Sequence, residues 1–234
     1  MIGINAGIAC GIEDDGIPAG AVMRRQLCLF YAVVVLAAVP AIAAEPTAVA
    51  PPVTFEWNAR LRHEVVDDDS LAQHADATTL RLRAGLRAHF GNGFASLVEG
   101  EGIAAAGNFN SGANGRTTSP SIIDPEGIEL NQAWAGWKGE HTDAALGRQR
   151  LLFDNHRWVG NSGWRQNEQT FDAAALQWQP LPSFAFRYAW VDRVHRVNGD
   201  DAIDPRARER NLSTHLLNVA WKRDAQQLTG YAYL

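Results

Sequence analysis

The feature that most constrains this chain is a period of two. Val53, Phe55, Trp57, Ala59 and Leu61 share one parity, and Thr54, Glu56, Asn58, Arg60 and Arg62 share the other. A strand sends successive side chains to opposite faces, so these sets mark an apolar and a polar face. The same split recurs at Leu80, Leu82, Ala84, Leu86, Ala88 and Phe90 against Arg81, Arg83, Gly85, Arg87 and His89. Gly91-Asn92-Gly93 follows as a tight-turn signature, because Gly and Asn tolerate positive φ, and it predicts a hairpin to the segment from Phe94 to Glu101.

Further strands are predicted at Ile128 to Lys138, Ala144 to Leu152, Phe171 to Gln179, Phe184 to Val194, Ser213 to Arg223 and Leu228 to Leu234. Their connections alternate in length. Those at 139–142, 180–183 and 224–226 are short, whereas 104–126, 153–170 and 195–212 are long and rich in turn-forming residues. Short turns at one end, long loops at the other and strands of about ten residues are the pattern of an outer-membrane barrel. Phe55, Trp57, Phe90, Phe94, Trp134, Phe184, Phe186, Tyr188, Trp190 and Trp221 fall at strand ends or on the apolar parity, where they suit lipid-facing girdles. A soluble β-sandwich also alternates and also uses aromatics, so pattern alone leaves it as the competing architecture. The fold class expected is all-β, an antiparallel transmembrane β-barrel. The chain stops at Leu234, inside a ninth candidate strand, and is read as an incomplete part of a larger barrel.

The N-terminal segment points to export. Arg24-Arg25 precedes the apolar run from Leu29 to Val39, and Pro40-Ala41-Ile42-Ala43-Ala44 supplies small residues for a signal peptidase. Cleavage is expected after Ala43 or Ala44, with translation starting at Met23. Residues 1–44 are then extension plus signal peptide, 45–52 a short leader, and 53–234 the barrel domain. Cys10 and Cys28 both precede the cleavage point, which leaves the exported chain without a thiol for a disulfide or a metal. The net charge of -5 gives no electrostatic support to a nucleic-acid partner.

Function is concentrated on the polar parity. Arg60, Arg62, Arg81, Arg83, Arg87, Arg148, Arg150, Arg187 and Arg193 recur along several strands, and closing those strands would gather them in one lumen. Guanidinium groups stay charged, offer planar donors to carboxylates and focus a field that attracts anions. Glu56, Glu64, Glu99 and Glu101 share that parity, so a cross-strand ladder of ion pairs is the structural alternative for any single arginine.

One stretch is more specific. It contains Gly147-Arg148-Gln149-Arg150, Asp154-Asn155-His156-Arg157, Val159-Gly160, Trp164-Arg165-Gln166 and Phe171-Asp172, and it is preceded by Glu129-Leu130-Asn131-Gln132-Ala133-Trp134. Together these resemble the alginate-export family of outer-membrane barrels, over roughly Phe55 to Leu234. The resemblance implies a monomeric, many-stranded barrel with an arginine-rich conduit that secretes a polyuronate. It also makes Arg148, Arg150, Arg157 and Arg165 candidate substrate contacts. Other family members are general porins, so diffusion of small anions stands beside polysaccharide export. The expected partners are outer-membrane lipid, an anionic polysaccharide or small anions, and periplasmic secretion components.

Enzyme readings find little to stand on. His63, His74, His89, His141, His156, His195 and His215 are scattered without a metal-ligand spacing. Asp67-Asp68-Asp69 lacks the Gly and distal Glu of a calcium loop. Ser213, Thr214 and His215 are neighbours on a strand and point alternately to opposite faces, which prevents a local triad in a barrel-embedded hydrolase. A soluble periplasmic sugar-binding module, stacking on Trp57, Trp158 and Trp164, is the remaining rival. No catalytic residue, metal or cofactor is expected.

Overall fold

The computed structural model describes residues 52–234, so the signal segment and most of the leader lie outside the described residues. Nine strands follow one another: β1 (Val53–Val66), β2 (Ala75–Gly91), β3 (Phe94–Asn108), β4 (Gly127–Lys138), β5 (Thr142–Gln149), β6 (Thr170–Leu181), β7 (Phe184–His195), β8 (Glu209–Arg223) and β9 (Gln226–Tyr233). They form a single sheet in chain order. Each strand is antiparallel to the next, from β1 against β2 through β8 against β9. Such an up-and-down meander needs only turns and loops, and it is the wall of a barrel rather than the Greek-key pair of sheets of a sandwich. The sheet is open, with β1 and β9 at its edges. One short helix, α1 (Pro205–Arg208), interrupts the connection before β8. No helix among the described residues is long and apolar enough to cross a membrane.

Burial along β2 inverts that of a soluble strand. Leu82 is 51% exposed and its neighbour Arg83 only 7%, and Leu80 and Leu86 are exposed like Leu82 while Arg81 is buried like Arg83. Burying a leucine fully is worth about 1.5–3 kcal/mol in water, so rows of outward leucines suit hydrocarbon and not solvent. The row from Leu80 to Phe90 runs roughly 33 Å along the strand. Tilted by about 40°, it matches the apolar band of about 25 Å on a transmembrane barrel. Phe55, Leu146, Leu176, Trp178, Trp190, Val219 and Trp221 continue this exposed apolar surface on other strands. Trp178 meets Phe184 edge-on at 6.2 Å beside a short turn, which is where an aromatic girdle belongs.

The predicted hairpin forms through Gly91, Asn92 and Gly93, all at positive φ. A side chain at Gly93 would lie 2.1 Å from the Lys138 carbonyl oxygen, so this position excludes one on both counts. β1, β2, β3 and β8 run further into the long connections than alternation indicates. β3 continues through the Gly/Ala-rich segment to Asn108 because backbone pairing with Asp76 to Arg81 needs no apolar side chain.

Two local departures redirect side chains. A register shift between Glu99 and Gly100 leaves Asn131 as an extra residue on β4, so Asn131 and Gln132 both reach Glu99 from one face. Parity reverses there, and Trp134, expected toward lipid, stands on the inner face with the Arg87 guanidinium 5.3 Å from its ring centre. The chain also leaves the sheet after Gln149 instead of Leu152, which takes Arg150 off the strand and into the loop.

The register makes a direct expectation. In a lipid bilayer, spin labels at Leu82, Leu86, Tyr188 and Trp190 are relaxed by a lipid-borne quencher, and labels at Arg83 and Arg187 are not. Quenching of the second set and not the first would reject the assignment of faces.

Candidate functional site: a loop laid across the arginine face

The connection between β5 and β6, residues 150–169, turns back over the inner face and is fixed there at two feet. The first is apolar: Leu151, Phe153 and Val159 join Phe171, Ala173, Ala189, Val191, Val194 and Leu216 in one buried cluster. It pins the loop to β6, β7 and β8. The second foot is polar and rests on β1 and β2, where the arginine rows provide donors and the loop provides acceptors. Arg60 Nε donates to Gln166 Oε1 at 2.8 Å and its Nη1 to the Gly163 carbonyl at 2.9 Å, with a third bond to the Arg165 carbonyl. Arg81 and Arg83 each donate to the Gln166 carbonyl at 3.3 Å. The Gln166 side chain, fully buried, donates in return to Thr79 Oγ1 at 2.8 Å and to the Thr79 carbonyl at 3.0 Å.

Between the feet lies Glu168, almost wholly buried. Its carboxylate faces Arg83 at 3.1 Å and pairs with Arg150. It also accepts from Asn131 at 2.8 Å and from Asn161 at 2.6 Å. Burial pushes this carboxyl up, but the hydrogen bond from Arg150, the charges of Arg83 and Arg150 and the Asn131 amide outweigh it and hold it below the ordinary value.

The eleven arginines singled out in the sequence divide into groups. Arg60, Arg62, Arg81, Arg83 and Arg165 are engaged with the loop or its supports: Arg62 pairs with Asp124 at 2.8 Å and with Glu64, and Arg165 lies 3.5 Å from Glu64. Arg87 pairs with Glu56 at 2.6 Å, Arg187 lies 3.6 Å from Asp154, and Arg150 reaches Glu99 at 3.1 Å. Arg157 rests against Trp158 at 5.8 Å. Arg148 is not brought into this assembly.

Arg148 shares its face with exposed Leu146, and it pairs outward with Asp172 at 3.0 Å. Asp172 also meets His195 at 2.8 Å, and Arg193, displaced outward by a register shift in β7, meets Glu209 at 3.0 Å. Placing Arg148 and Arg193 in the lumen is therefore corrected. Their strands carry the inner parity at Gln149 and Val194, both buried inward.

Beneath the loop the inner face encloses a cavity of about 730 Å³. Arg87, Lys138, Arg150 and Arg187 line it together with Trp134, and Asp143 is its one carboxylate among the described residues. Sequence reading passed over Asp124, Asn131, Gln166 and Glu168. Gln166 and Glu168 lie inside the motif stretch, but only its arginines stood out, because an acceptor is recognised by the donors that the fold brings to it. No group of residues capable of holding a metal ion is found among the described residues.

Removing the central carboxylate tests this construction. Glu168→Gln leaves Arg83 and Arg150 without their shared anion, at a cost of about 3 kcal/mol. Amide exchange across residues 155–169 is expected to rise roughly a hundredfold, while exchange in β2 and β3 holds. With acid the sign is set by the lowered value. The loop's protection is full above the usual carboxyl value of 4.5 and is lost as pH falls through the lower folded value. Unchanged loop exchange in the variant would show the anchor to be incidental.

The comparisons agree with this architecture. The family model described as Alginate export matches residues 52–232, well over half of the chain and nearly all of its sheet. No curated protein and no solved structure matches. Nine antiparallel strands in one sheet, an apolar outer face and the matched span lead to one assignment: the chain belongs to the alginate-export family, a family of outer-membrane export proteins.

Proposed function

We propose that the inner face and its loop form the wall and constriction of an outer-membrane channel through which an anionic polysaccharide of the alginate kind passes. The observation that carries this reading is the charge of the cavity beneath the loop: Arg87, Lys138, Arg150 and Arg187 against the single carboxylate of Asp143. The acidic partners Glu56, Glu99, Glu168 and Asp154 lie outside that lining. A positive surface with low-dielectric walls raises the local concentration of anions. Each guanidinium offers a planar fork to a carboxylate, and several such contacts in series let a chain exchange from one to the next.

On this reading the loop narrows the passage, and Arg60, Arg62, Arg81, Arg83 and Arg165 serve transport by holding the loop in place. Arg87, Arg150, Arg157 and Arg187 are the arginines left to meet the cargo. Delivery to the outer membrane follows from the signal segment read at residues 23–44, and the apolar outer face meets lipid.

In planar bilayers the protein is expected to pass anions in preference to cations, and a polyuronate added to one side blocks the current. The double variant Arg87→Ala, Arg187→Ala lowers both the anion preference and the affinity of the block by about tenfold. Raising the salt concentration weakens the block, because charges are screened beyond roughly 8 Å at physiological ionic strength. A cation-selective wild type, or a double variant with selectivity and block intact, would overturn the proposal.

A further inference from the structure

We infer that the cleft on the loop between Trp158 and Trp164 is a subsite for one pyranose ring of an acidic sugar, with Trp158 stacking on the ring and Arg157 receiving its carboxylate. The inference rests on the channel reading for the identity of the cargo, and its own evidence is independent of the cavity beneath the loop. The cleft, of about 510 Å³, is lined by His156, Arg157, Trp158, Asn161, Ser162 and Trp164 among others. That is within the range of small-ligand sites.

The placement of the tryptophans is what calls for an explanation. Of the loop's other large apolar residues, Leu151, Phe153 and Val159 are buried in its foot and Leu152 is part-exposed beside them. Trp158 and Trp164 instead stand 67% and 61% exposed, within seven residues of one another. Tryptophan is well buried on average, so two exposed in one short loop point to a partner outside the chain. The flat C–H face of a pyranose ring is apolar, and it fits the electron-rich face of an indole.

The two rings have different roles. Trp164 is held from within, with the Arg165 guanidinium 3.9 Å from its ring centre and that of Arg62 at 5.2 Å. It forms the fixed wall. Trp158 has the Arg157 guanidinium 5.8 Å from its ring centre and is two-thirds exposed, and it offers the open platform. Arg157 itself has no carboxylate within ion-pair distance among the described residues, in contrast to Arg62, Arg83 and Arg150. A cation beside an open indole face recognises a ring that carries an acid group. The backbone is set for this display: His156 and Ser162 both adopt positive φ, a conformation non-glycine residues take only where the surroundings impose it.

The test is calorimetric titration of the full chain in detergent micelles with two probes, a 1,4-linked hexuronate trisaccharide and the uncharged 1,4-linked hexose trisaccharide. Wild type is expected to bind the acidic probe more tightly than the neutral one. Trp158→Ala weakens binding of both by about tenfold, and Trp158→Tyr, which keeps a flat ring, restores most of it. Arg157→Gln removes the preference for the acidic probe and leaves binding of the neutral one. Neither residue holds the loop to the sheet, so far-UV circular dichroism and loop amide exchange stay as in wild type. Absence of binding in wild type, full binding in Trp158→Ala, or an acid preference that survives Arg157→Gln would each overturn the subsite. The channel reading fails separately, through the conductance of the Arg87→Ala, Arg187→Ala variant.

Discussion

The carboxylate of Glu168 receives Arg83 from β2, Arg150 from the start of its own loop, Asn131 from the bulge of β4 and Asn161 from the middle of the loop. A charge taken out of water costs several kcal/mol unless it is paired and hydrogen-bonded, and here each side supplies what the other lacks. Arg60, Arg81 and Arg83 stand close together on two adjacent strands, where like charges would otherwise repel. The loop brings them the Glu168 carboxylate and the oxygens of Gly163, Arg165 and Gln166, and Glu101 completes the set from β3. Without these acceptors the arginine rows have too few partners. Without the arginines the loop loses most of the donors at its polar foot and keeps there the Gln166 bonds to Thr79 and the Asn131 bond to Glu168.

The outer face obeys a different rule. Its leucines and aromatics stand largely exposed, as suits a surface that faces hydrocarbon, and the backbone groups behind them are satisfied by the strand ladder, as hydrocarbon demands. Charged groups on that face are the exception, and they pair with one another: His63 lies 3.9 Å from Asp76 between β1 and β2, and a larger group lies further round the sheet. Arg148, Asp172, His195, Arg193 and Glu209 pair among themselves across β5, β6, β7 and β8, at the end of the sheet where the long connections emerge. Charge on the lipid face is costly at the bilayer midplane and nearly free at the interfaces. Mutual pairing near the loop end is therefore how such groups are tolerated.

Much of this was legible in the sequence. Strict alternation exposed the two faces of β1, β2 and β7, and Gly91-Asn92-Gly93 marked the first hairpin, because both signals are local. What could not be read was non-local. Trp134 falls on the inner face because of a bulge, and a single extra residue such as Asn131 reverses every side chain beyond it without altering composition. Arg148 keeps the outward parity of Leu146 in an unbroken register, and which parity of so short a strand faces inward is set by its neighbours. The loop was legible as a motif and not as a structure. Glu168 and Gln166 acquire meaning only when Arg60, Arg81 and Arg83, more than eighty residues earlier in the chain, are folded beneath them.

That division among the arginines bears on how a channel of this kind works. A guanidinium fixed by three or more acceptors, as Arg60 is, cannot also exchange partners with a passing chain. A lumen in which every arginine was bound so firmly would be rigid and inert. A lumen in which none was bound would leave the loop unanchored and the charges mutually repelling. Here the firm contacts hold the loop to the sheet, and Arg187 too is engaged, by Gln177, Asn218 and Asp154, while Arg157 has no carboxylate partner among the described residues and is the arginine left to exchange. Conduction requires binding favourable enough to admit a ligand and weak enough to release it, and on the proposed channel reading those demands fall to different arginines.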